Sequence, residues 1–165
     1  MAASRLLRTI RFDGTDAFVF EQAAPPDEWA ISGAFAFSDQ PQEAIVGKVK
    51  QAFANGFLSV ESFGRATFTC VAEIDPETRT RLQEHLAQHF VDHYGAPDLA
   101  AALPVAREEF DFVSNLVADV PVNTIFVVQR KFDDDGQIRE QFRTIEQRIA
   151  GGPIYPRAWE ESDGS

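Results

Sequence analysis

Residues 5–13 alternate in polarity. Leu6, Ile10 and Phe12 fall on one side and Arg5, Thr9 and Arg11 on the other, the pattern of a half-buried strand. Asp13-Gly14-Thr15 is a turn signal, and residues 17–21 resume with Phe18 and Phe20 on one face, so the two runs read as a β-hairpin. Residues 23–27 break the pattern as a proline-containing loop. Residues 29–37 read as a third strand, with Trp29, Ile31, Phe35 and Phe37 on one face and Ala30, Ser32, Ala34 and Ala36 on the other. Neither face is charged, which predicts a central strand covered on both sides. Its small face lets a helix or a ligand approach closely.

Asp39 is placed to cap a helix whose early turn holds Pro41 and Glu43 and whose apolar positions are Ile45, Val49, Ala52 and Phe53. Asn55-Gly56 is its expected C-cap. Residues 57–64 read as a connection or short strand. Residues 65–74 read as a strand with Ala66, Phe68, Cys70, Ala72 and Ile74 inward and Thr67, Thr69 and Glu73 outward. Asp75-Pro76-Glu77 starts a helix that runs to Tyr94 and stops at Gly95. Ala96-Pro97-Asp98 opens another helical stretch, kinked or restarted at Pro104, with Ala106, Phe110, Val113, Val117 and Val120 as its stripe and Phe112 and Leu116 widening it. Residues 123–132 and 138–145 form a second hairpin around an acidic turn at Asp133, Asp134 and Asp135.

This order predicts one α+β domain over residues 1–150, a mostly antiparallel sheet of five to seven strands covered by two or three helices. Residues 151–165 form a Gly/Pro-rich, then acidic, C-terminal tail in which Ile154, Tyr155 and Trp159 can dock on the body.

Composition narrows the functions. The chain has 165 residues, enough for one ordinary domain, and a formal net charge of −11. Such a surface does not favour nucleic acid or anionic lipid, although a local basic pocket remains open. The single cysteine, Cys70, allows neither an internal disulfide nor a cysteine-cluster metal site. No apolar run is long enough to span a membrane. Arg5, Arg8 and Arg11 interrupt what would be a signal peptide, so a cytoplasmic location is expected. Fifteen phenylalanines against one methionine predict an aromatic core.

Two groups of residues could carry chemistry. His85, His89 and His93 follow at i, i+4 and i+8 on one helix. The outer two are ~12 Å apart along the axis, so only neighbouring pairs could chelate a divalent metal, with Glu84 or Asp92 beside them. Packing along the edge of the Leu82, Leu86 and Phe90 stripe is the simpler role. No other cofactor is expected. The second group is Arg8 and Arg130, both in phase with apolar residues of their strands. An inward arginine needs a carboxylate or an anionic ligand, and Glu140 is the expected internal partner of Arg130. Glu61, in the connection before Gly64, is a further polar candidate beside an anion pocket. Cys70 lacks a local base and reads as inert. Glu108, Glu109 and Asp111 read as a solvated helix face.

Several strings occur together: Arg8-Thr-Ile-Arg11, Trp29-Ala-Ile-Ser-Gly-Ala-Phe35, Gly56-Phe-Leu-Ser-Val60 with Ser62-Phe-Gly64, Gly95-Ala-Pro-Asp-Leu99, and Asp135-Gly-Gln-Ile-Arg-Glu140 into Phe142-Arg-Thr144. Up to about Arg148 the chain resembles an uncharacterised family of small acidic alphaproteobacterial proteins, a domain of unknown function. The resemblance supplies no catalytic residues and implies an accessory role, in the setting of redox metalloenzymes. The expected function is a non-catalytic accessory or protein-interaction domain, homodimeric in one form, with Phe112, Leu116, Tyr155 and Trp159 as interface candidates. The alternatives are a protein or enzyme binding a small anion in a phenylalanine-lined pocket through Arg8, Arg130, Glu61 and Glu140, and metal binding by the histidines.

Overall fold

The computed structural model describes residues 4–10, 20, 22–37 and 42–145. Strand β1 (Ser4–Ile10) runs beside β5 (Phe68–Ile74) along its whole length, from Ser4 opposite Ile74 to Ile10 opposite Phe68. On its other side β1 meets β2 (Trp29–Ile31), with Leu7 opposite Ala30. Strands β3 (Phe57–Ser59) and β4 (Arg65–Ala66) extend the sheet past β2, and β6 (Ile125–Phe132) and β7 (Ile138–Ile145) extend it past β5. The described strands form one seven-stranded sheet in the order β4-β3-β2-β1-β5-β6-β7, with antiparallel neighbours throughout. This is the α+β arrangement that the hairpins predict.

Residues 29–31 lie inside the sheet between β1 and β3 and are buried on both faces as expected, while the middle strand is β1. Leu6 and Leu7 are both fully buried, so β1 is covered on both sides instead of half-buried. The expected long third strand stops at Ile31. Gly33 turns the chain with φ +78°, and a Cβ there would lie 2.4 Å from the Cβ of Leu58. Only glycine makes that turn without strain. Residues Ala34–Phe37 then wind into a 3₁₀ turn. The expected strand over residues 65–74 is also divided. A break at Thr67 separates β4 from β5 and changes the phase of the alternation. Thr69 and Val71 are therefore buried, while Phe68, Cys70 and Ala72 are only half-buried. Residues 11–19 and 21 of the first expected hairpin lie outside the described residues.

Helix α1 (Gly47–Asn55) starts later than its apolar spacing suggests, after a 3₁₀ turn at Gln42–Ala44, and Val46 gives it no side-chain cap. Asp39 and Pro41 lie outside the described residues. Gly56 ends the helix as expected, in an extended conformation with φ −91°, its amide donating to the Ala52 carbonyl, and leads straight into β3. Helix α2 (Pro76–His93) begins as predicted, with the Asp75 carboxylate accepting from the Thr78 amide at 2.9 Å. That bond holds the Asp75 carboxyl below its usual range. Helix α3 (Leu99–Leu116) is capped by Asp98 and continues through Pro104, which costs one backbone bond near its start and produces no new helix.

Helix α3 packs on β1 and β2, α2 packs on α3, and α1 packs on β6. The main core joins Leu6, Leu7, Ile31 and Val71 of the sheet to Leu82, Leu86, Phe110 and Val113 of the helices. A smaller cluster of Phe37, Ile45 and Phe53 lies beside it, and Phe53 stacks on Phe132 at 4.7 Å. The phenylalanines thus fill two separate clusters. Phe57 of β3 lies 6.5 Å from Phe126 of β6, although β2, β1 and β5 stand between those strands. Flat strands at ~4.8 Å spacing would keep them ~19 Å apart. The sheet is therefore strongly curled. No helix among the described residues is long and apolar enough to cross a membrane.

Candidate functional site

The curl brings two arginines together. Arg130 lies on β6 directly opposite Glu140 of β7, and its Nε donates to Glu140 Oε2 at 2.8 Å. Its Nη1 donates to the carbonyls of Phe53 and Gly56, both at 2.9 Å. Its Nη2 donates to the Ser32 carbonyl and to Ser32 Oγ, while the Ser32 hydroxyl donates to Glu140. Every N–H of this guanidinium has an acceptor. Phe53 belongs to the last turn of α1, so Arg130 adds to the Gly56 cap at the negative end of the helix dipole. Burial lowers the Arg130 pKa, and Glu140 opposes that effect.

Arg65 of β4 reaches the same point from the other side. Its Nη1 donates to the Gly56 carbonyl at 3.2 Å and to the Gly33 carbonyl at 3.4 Å, and its Nη2 also donates to Gly33 at 3.4 Å. Its guanidinium carbon lies 4.9 Å from the centre of the Phe37 ring. Among the described residues no carboxylate comes within ion-pair distance of Arg65, and none accepts from its Nε. Burial first, and the neighbouring Arg130 charge second, lower its pKa to about 9. Arg65 borders a cavity of about 210 Å³ walled by Phe20, Phe37, Phe63, Val49 and Ala52, with Gln22 and Lys48 as its other described polar residues. No described carboxylate lines it.

Glu109 of α3 is half-buried beside this cluster, contrary to its expected place on a solvated face. It is adjacent in sequence to buried Phe110, and burial, then the charges of Glu140 and Glu108, push its carboxyl up to about 7.

The other sequence candidates lie elsewhere. Arg8 is not interior. It rests 4.4 Å over the Trp29 ring and donates to the Asp27 carbonyl at an exposed position, where its head stays hydrated. Glu61 is exposed and accepts from the Trp29 amide at 2.7 Å. Phe63 stacks on His89 at 3.7 Å and on His85 at 5.1 Å, and His89 lies 4.8 Å from His93. These rings border a groove of about 430 Å³ that shares Gln22 and Phe63 with the Arg65 cavity. Burial, then His93 and His85, lower the His89 pKa. Among the described residues no group of three or more His, Cys, Asp or Glu side chains is placed to hold a metal ion. Cys70 is half-buried, and burial raises its thiol pKa. Phe112 is 46% exposed and 5.9 Å from Phe142, and Leu116 packs at the margin of the core. Tyr155 and Trp159 lie outside the described residues.

Sequence reasoning missed Arg65, Lys48 and Gln22. Arg65 shares the phase of Thr67 and Thr69, which an unbroken strand would turn to solvent. Its one local signal is its position straight after Gly64 in an apolar stretch.

The described residues thus make an α+β domain, a curled antiparallel sheet with three helices and a cationic, phenyl-walled cavity. Residues 4–153 match a family of unknown function, DUF6505, and the chain belongs to that family. No curated protein and no solved structure matches it.

Proposed function

We propose that the protein binds a small anion in the Arg65 cavity. One observation carries this reading: a buried guanidinium, Arg130, and a half-buried one, Arg65, share the Gly56 carbonyl, yet one described carboxylate, Glu140, pairs with Arg130 and none with Arg65. A desolvated cation of this kind calls for a counter-anion. Lys48 adds a second positive group at the cavity wall. Isothermal titration of the protein with small carboxylates and phosphate tests the reading. Saturable binding that is lost in Arg65→Met supports it, and no heat with any of them refutes it.

A second reading, the accessory or interaction role, rests on a different feature. Val105 and Phe112, seven residues apart on α3, are 47% and 46% exposed. Large apolar side chains on one helical stripe suit a protein partner or a second copy of the chain. Sedimentation of wild type and Phe112→Ser tests the dimer form: a dimer that the substitution dissociates supports it, and a monomer in both refutes it.

A further inference from the structure

The shape and chemistry of the cavity restrict which anion enters, and we infer that the ligand is an apolar monocarboxylate, an aryl or branched-chain acid. This inference rests on the anion-binding reading above. Three features specify the class.

The first is the unused edge of Arg65. Nη1 is committed to two carbonyls and Nη2 donates to one, which leaves Nε–H and one Nη2–H without an acceptor among the described residues. Two adjacent, parallel N–H donors match the two oxygens of a carboxylate.

The second is charge. Arg130 has Glu140 as its ion-pair partner and feels Glu109 from further off, whereas Arg65 has no ion-pair partner among the described residues. A monoanion matches the single charge of Arg65, whereas a phosphate dianion brings more charge and oxygen atoms than the remaining described donors, Lys48 and Gln22, readily serve.

The third is the wall. Phe20, Phe37, Phe63 and Val49 offer no hydrogen bonds, so the hydroxyls of a sugar acid set against them gain no partner from the wall. An apolar body suits them. A cavity of ~150 Å³ accepts a benzene ring, so about 210 Å³ holds such a ring or a branched chain together with its carboxylate.

The test is calorimetric titration of the full chain with sodium benzoate, 3-methylbutanoate, gluconate and inorganic phosphate. Benzoate or 3-methylbutanoate should bind at least tenfold more tightly than gluconate or phosphate. Arg65→Met should abolish the binding. Val49→Trp, which fills the cavity without touching the charges, should abolish it as well and decides the matter if the arginine variant does not fold. Lys48→Gln should weaken it severalfold. Phosphate or gluconate binding as tightly as benzoate through Arg65 overturns the apolar-carboxylate class and leaves the anion reading standing. Benzoate binding unchanged in Val49→Trp overturns the cavity as its site. Failure of all four probes overturns both.

Discussion

Arg130 and Arg65 donate to the same carbonyl, yet their surroundings differ. Arg130 is saturated: a carboxylate, three backbone carbonyls and a hydroxyl take its donors. Arg65 has two carbonyls at longer range and a phenyl ring. The first arginine ties β6, β7, α1 and the Ser32 turn together. The second borders a cavity with part of its hydrogen-bonding capacity unused among the described residues. The difference separates a buried charge that holds a fold from one suited to holding something else. Burial alone distinguishes neither; the count of acceptors does.

Four substitutions test this contrast. The largest effect is expected at Arg130. Arg130→Met leaves Glu140 and the end of α1 without their donor, and urea denaturation should show a loss of about 3–5 kcal/mol. Arg65→Met is the counterpart. It removes a poorly paired charge and should cost less than about 1.5 kcal/mol. Equal losses from the two substitutions would erase the distinction drawn here.

Glu109 gives the next effect, through pH. Its folded-state pKa of about 7 lies above the usual 4.5, so the folded protein holds the proton more tightly than the unfolded chain. That contribution to stability is complete below about pH 4.5 and is lost as pH rises through 7. Glu109→Gln should therefore stabilise the protein by about 2 kcal/mol at pH 8, less than the full shift implies because the side chain is only half-buried. It should change little at pH 4. Identical gains at both pH values would show that burial does not hold the proton on this carboxyl.

The smallest effect belongs to the histidine groove. The folded-state pKa of His89 is lowered, so stability is present above the ordinary histidine range and is lost as pH falls below about 6.5. His89→Phe should remove a few tenths of a kcal/mol of that acid-side loss, since much of the ring is solvated. Melting curves at pH 5 and 7 measure it. A wild-type slope in the variant would assign the loss to other groups.

The Arg130–Glu140 pair was legible in the sequence. A tight acidic turn joins two alternating runs, the turn sets their register, and the register puts the two residues opposite one another. The helix start at Asp75 was legible for a similar local reason. Arg65 was not, because it keeps the outward phase beside buried Ala66 and the acceptors around it come from Gly33 and Gly56. Glu109 looked solvated because helical periodicity assigns a face but not the distance to a strand remote in sequence. Arg8 misled in the opposite sense: it shares the strand phase of buried Leu6, yet a neighbouring indole gives its head a place at the surface.

The sequence by itself determined the elements whose causes are local: the hairpin of β6 and β7, the capped helices α2 and α3, the antiparallel α+β class and the aromatic core. Alternation, capping and turn chemistry act over a few residues, and their signals lie next to the structure they produce. Tertiary structure decided which strand is the middle one, where the sheet curls and which arginine has no carboxylate partner among the described residues. Those outcomes depend on contacts such as Phe57 with Phe126 and Arg65 with Gly33, between segments that no periodic pattern connects. Pairing a buried charge is a question of three-dimensional proximity, so the candidate site became visible only once the sheet had closed around it.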